Sequence, residues 1–272
     1  MQHHTFSKTS NCFVAGVESV SVVHERGRGI AWRIWPGAHV LLDWLENNKV
    51  KWCRHPCHVV EIGAGVGLVG LACAGLGADR VTLTDLAEEL PALERSRDLN
   101  TETVKSKVSI RTLRFGNKDD ADLVVDHSKY NLVVVGSELI YWESLFEPIA
   151  ETLARLIIDH RAVAYIGYRT RVWKTEKRFF TKILQKHGLS FEVVGEWRAV
   201  EEDSSSQTTD GHIRYDEGEW NTRVYKISRI ASGVVKSNQS PVVVNQENQP
   251  PNDKSKKKPK KIVKQEKKGK CR

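Results

Sequence analysis

Little in this chain admits it to a special class. Its five cysteines are an odd number, scattered at 12, 53, 57, 73 and 271, which suits a reducing compartment. Cys53, His55, Cys57 and His58 crowd into six residues, yet no second ligand pair follows at finger spacing, so no metal site is expected. No signal peptide or spanning helix opens the sequence. Its one long stretch of small and apolar residues, 59–78, contains six glycines and a glutamate, too polar and too flexible for a membrane span. Basic–aromatic modules that read nucleic acid are also missing from the body of the chain.

What remains is an ordinary hydrophobic fraction of 40% over 272 residues, enough for one core domain with appendages. The net charge of +8 is misleading, because residues 233–272 carry twelve Lys or Arg against three Asp or Glu. That segment has no aromatic residue and cannot bury enough apolar surface to fold. Residues 1–28 are therefore read as an N-terminal extension, 29–230 as the folded domain and 231–272 as a disordered lysine-rich tail. The run KSKKKPKKIVKQEKKGK resembles a nuclear-localisation or polyanion-binding segment, and a merely solvated tail explains it equally well. A cytoplasmic protein, nuclear if the tail directs it, is expected, with no membrane partner and no need for more than a monomer.

Apolar runs alternate with helical patterns, the signature of an α/β sheet. Strands are predicted near 58–62, 80–85, 108–115, 130–137 and 162–168, with helices near 66–76, 88–100, 144–159 and 175–187. Pro36 suits a first helical turn, from which Val40, Leu41, Trp44 and Leu45 form one face. Ser144 and Glu147 have the spacing of a capping box. Two final strands, near 191–197 and 220–229, flank an acidic, serine-rich loop from Glu201 to Glu219 and predict an antiparallel hairpin. Five alternating strands and this hairpin make a Rossmann-like seven-strand sheet flanked by helices.

Chemistry concentrates in VVEIGAGVGLVGLA, a buried strand, a glycine turn and a helix start. Glycines at 63, 65 and 67 let backbone N–H groups approach a ligand closely. Asp85, ending the next strand, stands where a carboxylate holds two ribose hydroxyls; it serves equally to cap the next helix with Glu88. Gly65, Gly67 and Gly70 with Asp85 also fit the dinucleotide fingerprint, so NAD and S-adenosylmethionine compete. The order E-x-G-x-G-x-G favours S-adenosylmethionine. Glu61 suits its cationic ammonium and repels a pyrophosphate. A Tyr-x-x-x-Lys pair would favour the oxidoreductase, but Tyr141 is followed at that spacing by Leu145. A third strand end, GSELIYWES, brings Glu138 and Tyr141 beside the cofactor, although a glutamate near a helix start and a packed tyrosine are common without catalysis. A partner-binding module without enzymatic activity would have no use for the glycine turn.

Taken together, IWPGA, VVEIGAGVGLVGLA, VTLTDL, LRFG and SELIYWESLFEPI resemble the seven-β-strand protein methyltransferases called methyltransferase family 16, of the methyltransferase-like 21 type, from about Gly29 to Ile230. The resemblance implies a class I methyltransferase fold and S-adenosylmethionine-dependent methylation of lysine on a non-histone protein, such as a chaperone, an AAA-type ATPase or an elongation factor. Tyr168 and Arg169 draw it toward the branch that acts on the valosin-containing ATPase. By resemblance, Trp35, Glu61 and the turn Gly63, Ala64 and Gly65 contact the cofactor, Asp85 takes its ribose, Phe115 lies beside the adenine and Ser137 near the methionine portion. The family's D-x-x-Y stands here as Glu138 and Tyr141, implied to orient the acceptor amine and wall its channel. Ser-Glu-x-Ile-Tyr also resembles the family's histidine-methylating branch, so the acceptor is lysine or, alternatively, histidine.

Overall fold

The computed structural model describes residues 2–7, 19–24, 29–126, 130–197 and 222–231. Most of the lysine-rich tail, the loop Glu201–Glu219, Cys12 and Cys271 lie outside these. Nine strands are described: β1 Gln2–Ser7, β2 Ser19–His24, β3 Cys57–Glu61, β4 Arg80–Asp85, β5 Val108–Thr112, β6 Asn131–Ser137, β7 Val163–Arg169, β8 Leu189–Trp197 and β9 Thr222–Arg229. The helices are α1 Pro36–Asn47, α2 Lys49–Trp52, α3 Leu68–Leu76, α4 Leu90–Asp98, α5 Glu102–Lys105, α6 Lys118–Leu123, α7 Phe146–Ala154, α8 Trp173–Arg178 and α9 Leu184–Lys186. No described helix is long and apolar enough to cross a membrane.

Seven strands form one sheet in the order β5-β4-β3-β6-β7-β9-β8. The five from β3 to β7 pair in parallel, whereas β9 is antiparallel to both of its neighbours. The predicted closing hairpin is therefore present, with the later strand inserted between β7 and β8. Because side chains alternate across a sheet, each central strand feeds two cores. Val59, Val133 and Val135 pack on one face with α1, α3 and α4, while Val60, Leu132 and Val134 pack on the other with α7 and α9. Trp44 of α1 closes the first core at the hairpin, its Nε1 donating to the Val194 carbonyl at 2.9 Å where the β8 register shifts.

Strand β2 lies before the point where the sequence reading begins the folded domain, yet Val20, Val22 and Val23 are buried in the first core. Its backbone is held by side chains of α4 and the turn after it: Ser96 Oγ accepts from Val23 N, and Asn100 both accepts from Ser21 N and donates to its carbonyl.

The Ser144–Glu147 capping box does not form. A 3₁₀ turn, Glu143–Leu145, begins the helix early, no side chain caps α7, and Glu147 instead bonds His187 and Lys186. Helix α7 continues into a π-helical turn, Arg155–Asp159. The strand expected over 108–115 stops at Thr112, where the chain turns toward the site.

Candidate active site

The site lies at the carboxyl ends of β3, β4 and β6, where an open α/β sheet leaves a crevice. From β3 the chain enters a turn with positive φ at Gly63, Gly65 and Gly67, and the last of these starts α3. Glu61 is buried beneath this turn and accepts from Gly70 N of α3 at 2.8 Å. Burial pushes its carboxyl up to about 8, against the opposing effect of that N–H. The carboxylate at the head of the turn is thus tied into the first turns of the helix. Asp85 accepts from Gly65 N at 2.7 Å through one oxygen and from Leu86 N at 2.8 Å through the other. Each oxygen keeps a free lone pair, so the residue anchors the turn and remains able to accept from a ligand. Burial raises its pKa.

Leaving β6, the chain takes a left-handed conformation at Glu138, φ 56°. A non-glycine residue there stores strain, and three bonds hold it. Glu138 N donates to the Gly167 carbonyl at 2.8 Å, Oε1 accepts from Gly37 N at 2.8 Å, and Oε2 accepts from Arg171 Nη2 at 2.5 Å. The residue is only 5% exposed. Burial raises its pKa, with Arg171, Gly37 N–H and Arg169 acting in the opposite direction. Trp35, the residue before α1, is extended as a residue preceding proline should be, and its Nε1 donates to the Ile30 carbonyl at 3.0 Å. Its ring lies 4.9 Å from the Arg33 guanidinium and 5.9 Å from that of Arg171.

Trp35, Glu61, Gly63, Ala64, Gly65, Asp85, Phe115, Ser137, Glu138 and Tyr141 all line one cavity of about 470 Å³. Tyr141 stands at its rim, 37% exposed, its ring 4.9 Å from that of Trp142. Arg171, which sequence reasoning missed, also lines the cavity; it lies in a short loop after β7 and belongs to no motif. Trp32, by contrast, is a core residue that donates to Glu89. Tyr168, used above to choose a branch, is fully enclosed among Phe180 and Tyr225, so packing accounts for it. His58 turns to Thr82, on the face of β3 opposite Cys57.

A cavity of this size, with a carboxylate at one strand end, a glycine turn and largely apolar walls including Leu86 and Phe115, fits a nucleoside cofactor carrying a short charged tail. The sheet order, the single reversed strand and the position of the glycine turn define a class I methyltransferase fold. A model of the family described as lysine methyltransferase matches residues 17–186. Mouse EEF1A lysine methyltransferase 3 is 29% identical over 184 residues, 67% of this chain and 75% of that protein. The protein N-lysine methyltransferase METTL21A of Danio rerio is 32% identical over 159 residues, 58% of this chain and 69% of its own. Its mouse counterpart is 30% identical over 166 residues, 61% of this chain and 72% of its own. The chain belongs to this methyltransferase family 16, as an S-adenosylmethionine-dependent protein-lysine N-methyltransferase. That sets aside the oxidoreductase and the non-enzymatic module. These relatives lend no support to the narrower placement beside enzymes of the valosin-containing ATPase.

Proposed function

We propose that this enzyme methylates a lysine of a folded protein of the elongation-factor class, and that Glu138 receives the lysine's ammonium group. The name of the mouse relative that methylates EEF1A supports the class of substrate. One observation carries the role of Glu138: a cation already sits in that seat. Arg171 is bonded to Glu138 Oε2 and lies over the Trp35 ring, so carboxylate and aromatic face together suit a positive side chain. An incoming lysine exchanges with this guanidinium, and Tyr141 with Trp35 walls the channel. Asp85 accepts from the cofactor's ribose, Gly63, Ala64 and Gly65 give its amino-acid portion room, and Glu61, bonded to Gly70 N beneath the turn, holds that turn in shape for it. Phe115 flanks the adenine and Ser137 borders the methionine portion.

The cofactor supplies an activated methyl group on a sulfonium. The protein must deliver a neutral amine in line with it. Deprotonating a lysine costs about 4–5 kcal/mol at pH 7. Desolvation among Trp35 and Tyr141 lowers that cost, and the remaining acceleration comes from positioning. The test is incubation with methyl-tritiated S-adenosylmethionine and a cell lysate, followed by mapping of labelled proteins. A labelled elongation factor, modified at lysine and absent with Glu138→Gln, is expected. Label on another protein overturns the substrate class, and label on histidine overturns the acceptor. Neither label nor S-adenosylhomocysteine binding would sink the methyltransferase reading itself.

A further inference from the structure

At the amino ends of the parallel strands, opposite the cofactor cavity, lies a second cluster that methyl transfer does not use. Cys53 ends α2, Cys57 begins β3, and Asp79 immediately precedes β4. His55 Nδ1 lies 2.8 Å from Asp79 Oδ2, and the other ring nitrogen, Nε2, faces Cys53 Sγ at 3.9 Å. Asp79 Oδ2 also accepts from Cys57 N at 2.7 Å, which fixes the carboxylate against the strand. The result is an Asp–His–Cys relay with the base oriented by a carboxylate. A second thiol adjoins it: Cys57 follows four positions later at the start of β3, its backbone N–H on the same Asp79 oxygen that holds His55, while Cys53 Sγ also lies 3.7 Å from the Gly77 carbonyl. Burial separates their roles. Cys57 and Cys73 are completely enclosed, whereas Cys53 retains 8% exposure beside the solvent-facing imidazole of His55.

We infer that Cys53 is a peroxide-reactive thiol, activated by His55 and Asp79, and that Cys57 resolves its oxidised form as a Cys53–Cys57 disulfide. The Cys53 proton passes to His55 Nε2. The thiolate attacks one oxygen of a peroxide, forming an S–O bond as the O–O bond breaks, and the departing oxygen takes the proton back from His55. The Cys57 sulfur then attacks the Cys53 sulfenic acid; the S–S bond forms and hydroxide leaves as water with the Cys57 proton. Two thiols lose two electrons and one peroxide is reduced. Electrostatics favour the assignment. The Cys57 thiol, with His55 and Lys49 assisting against burial, lowers the Cys53 pKa to about 7, while the Cys57 pKa is raised. The nucleophile and its resolving partner are thus differentiated. His55 is held above its ordinary pKa by Asp79, which makes it a stronger base facing Cys53.

The full chain, treated with hydrogen peroxide and then alkylated, is mapped by mass spectrometry at all five cysteines. The expected product links Cys53 to Cys57, two hydrogens lighter and reversed by a thiol reductant. In Cys57→Ser the Cys53 sulfenic acid accumulates and is captured by dimedone. His55→Ala, at an exposed position that leaves the fold intact, slows Cys53 oxidation about tenfold. Oxidation of Cys12, Cys73 or Cys271 as fast as Cys53, or an unchanged rate in His55→Ala, overturns the assignment.

Discussion

Gly37 and Gly167 meet backbone to backbone, so that a Cβ on Gly167 would strike the Gly37 carbonyl oxygen and lie 2.7 Å from Leu41 Cβ. A Cβ on Gly37 would fall 2.7 Å from Glu138 Oε1 and 2.8 Å from the Gly167 carbonyl. This contact lets the start of α1 lie directly on β7. Only at that separation can Gly37 N–H reach Glu138 across 101 positions of sequence. The geometry of the acceptor seat is therefore set by two residues without side chains.

Gly167→Ala is expected to cost about 1–3 kcal/mol, because the obstructing atoms are backbone and cannot rotate away. Thermal unfolding measures it. Activity should fall further than stability, since Trp35 and Glu138 both move with α1.

Glu138→Gln keeps the side chain's shape and removes its charge. Turnover should fall at least tenfold, about 1.4 kcal/mol on the barrier, with S-adenosylhomocysteine affinity retained. Calorimetry and a methyl-transfer assay separate the two effects. Wild-type turnover would remove Glu138 from the acceptor seat.

Asp85→Asn still offers Gly65 N–H an acceptor, so the turn should persist. Loss of a charged acceptor for the ribose should weaken S-adenosylhomocysteine binding about tenfold or more, read by calorimetry.

Glu61 predicts a pH dependence of stability. Its folded pKa is raised to about 8 from an ordinary value of 4.5, so the native state holds a proton that the unfolded chain releases. Its contribution is complete below about pH 4.5 and is lost as pH rises through 8. Urea midpoints of wild type minus Glu61→Gln should decline across that window. Parallel curves would contradict it.

Ser96→Ala removes the acceptor for Val23 N in a buried setting and should cost about 1 kcal/mol or more. Urea unfolding monitors this loss.

Those strands and helices were legible where pattern and chemistry coincide. The β3 run reads as a fully buried strand because its neighbours cover both faces, and the glycine turn requires positive φ that few other residues supply. The insertion of β9 between β7 and β8 was not legible, because a hairpin's sequence does not say which of its strands pairs inward. Arg171 was hidden for a related reason: its partner Glu138 is 33 positions away, and a single arginine in a loop has no period. The Ser144–Glu147 spacing misled because Glu147 found His187 and Lys186, partners from a helix distant in sequence.

Asn100 gives Ser21 one acceptor and one donor, the complement a neighbouring strand would offer, and Ser96 gives Val23 N an acceptor. Two side chains thus occupy the edge of β2 that faces α4. An aggregating chain that sought to add a strand there would find its hydrogen-bonding sites already taken. Protection against self-association at this margin is written into a helix and the turn after it, and replacing Asn100 would open the margin before it unfolded the domain.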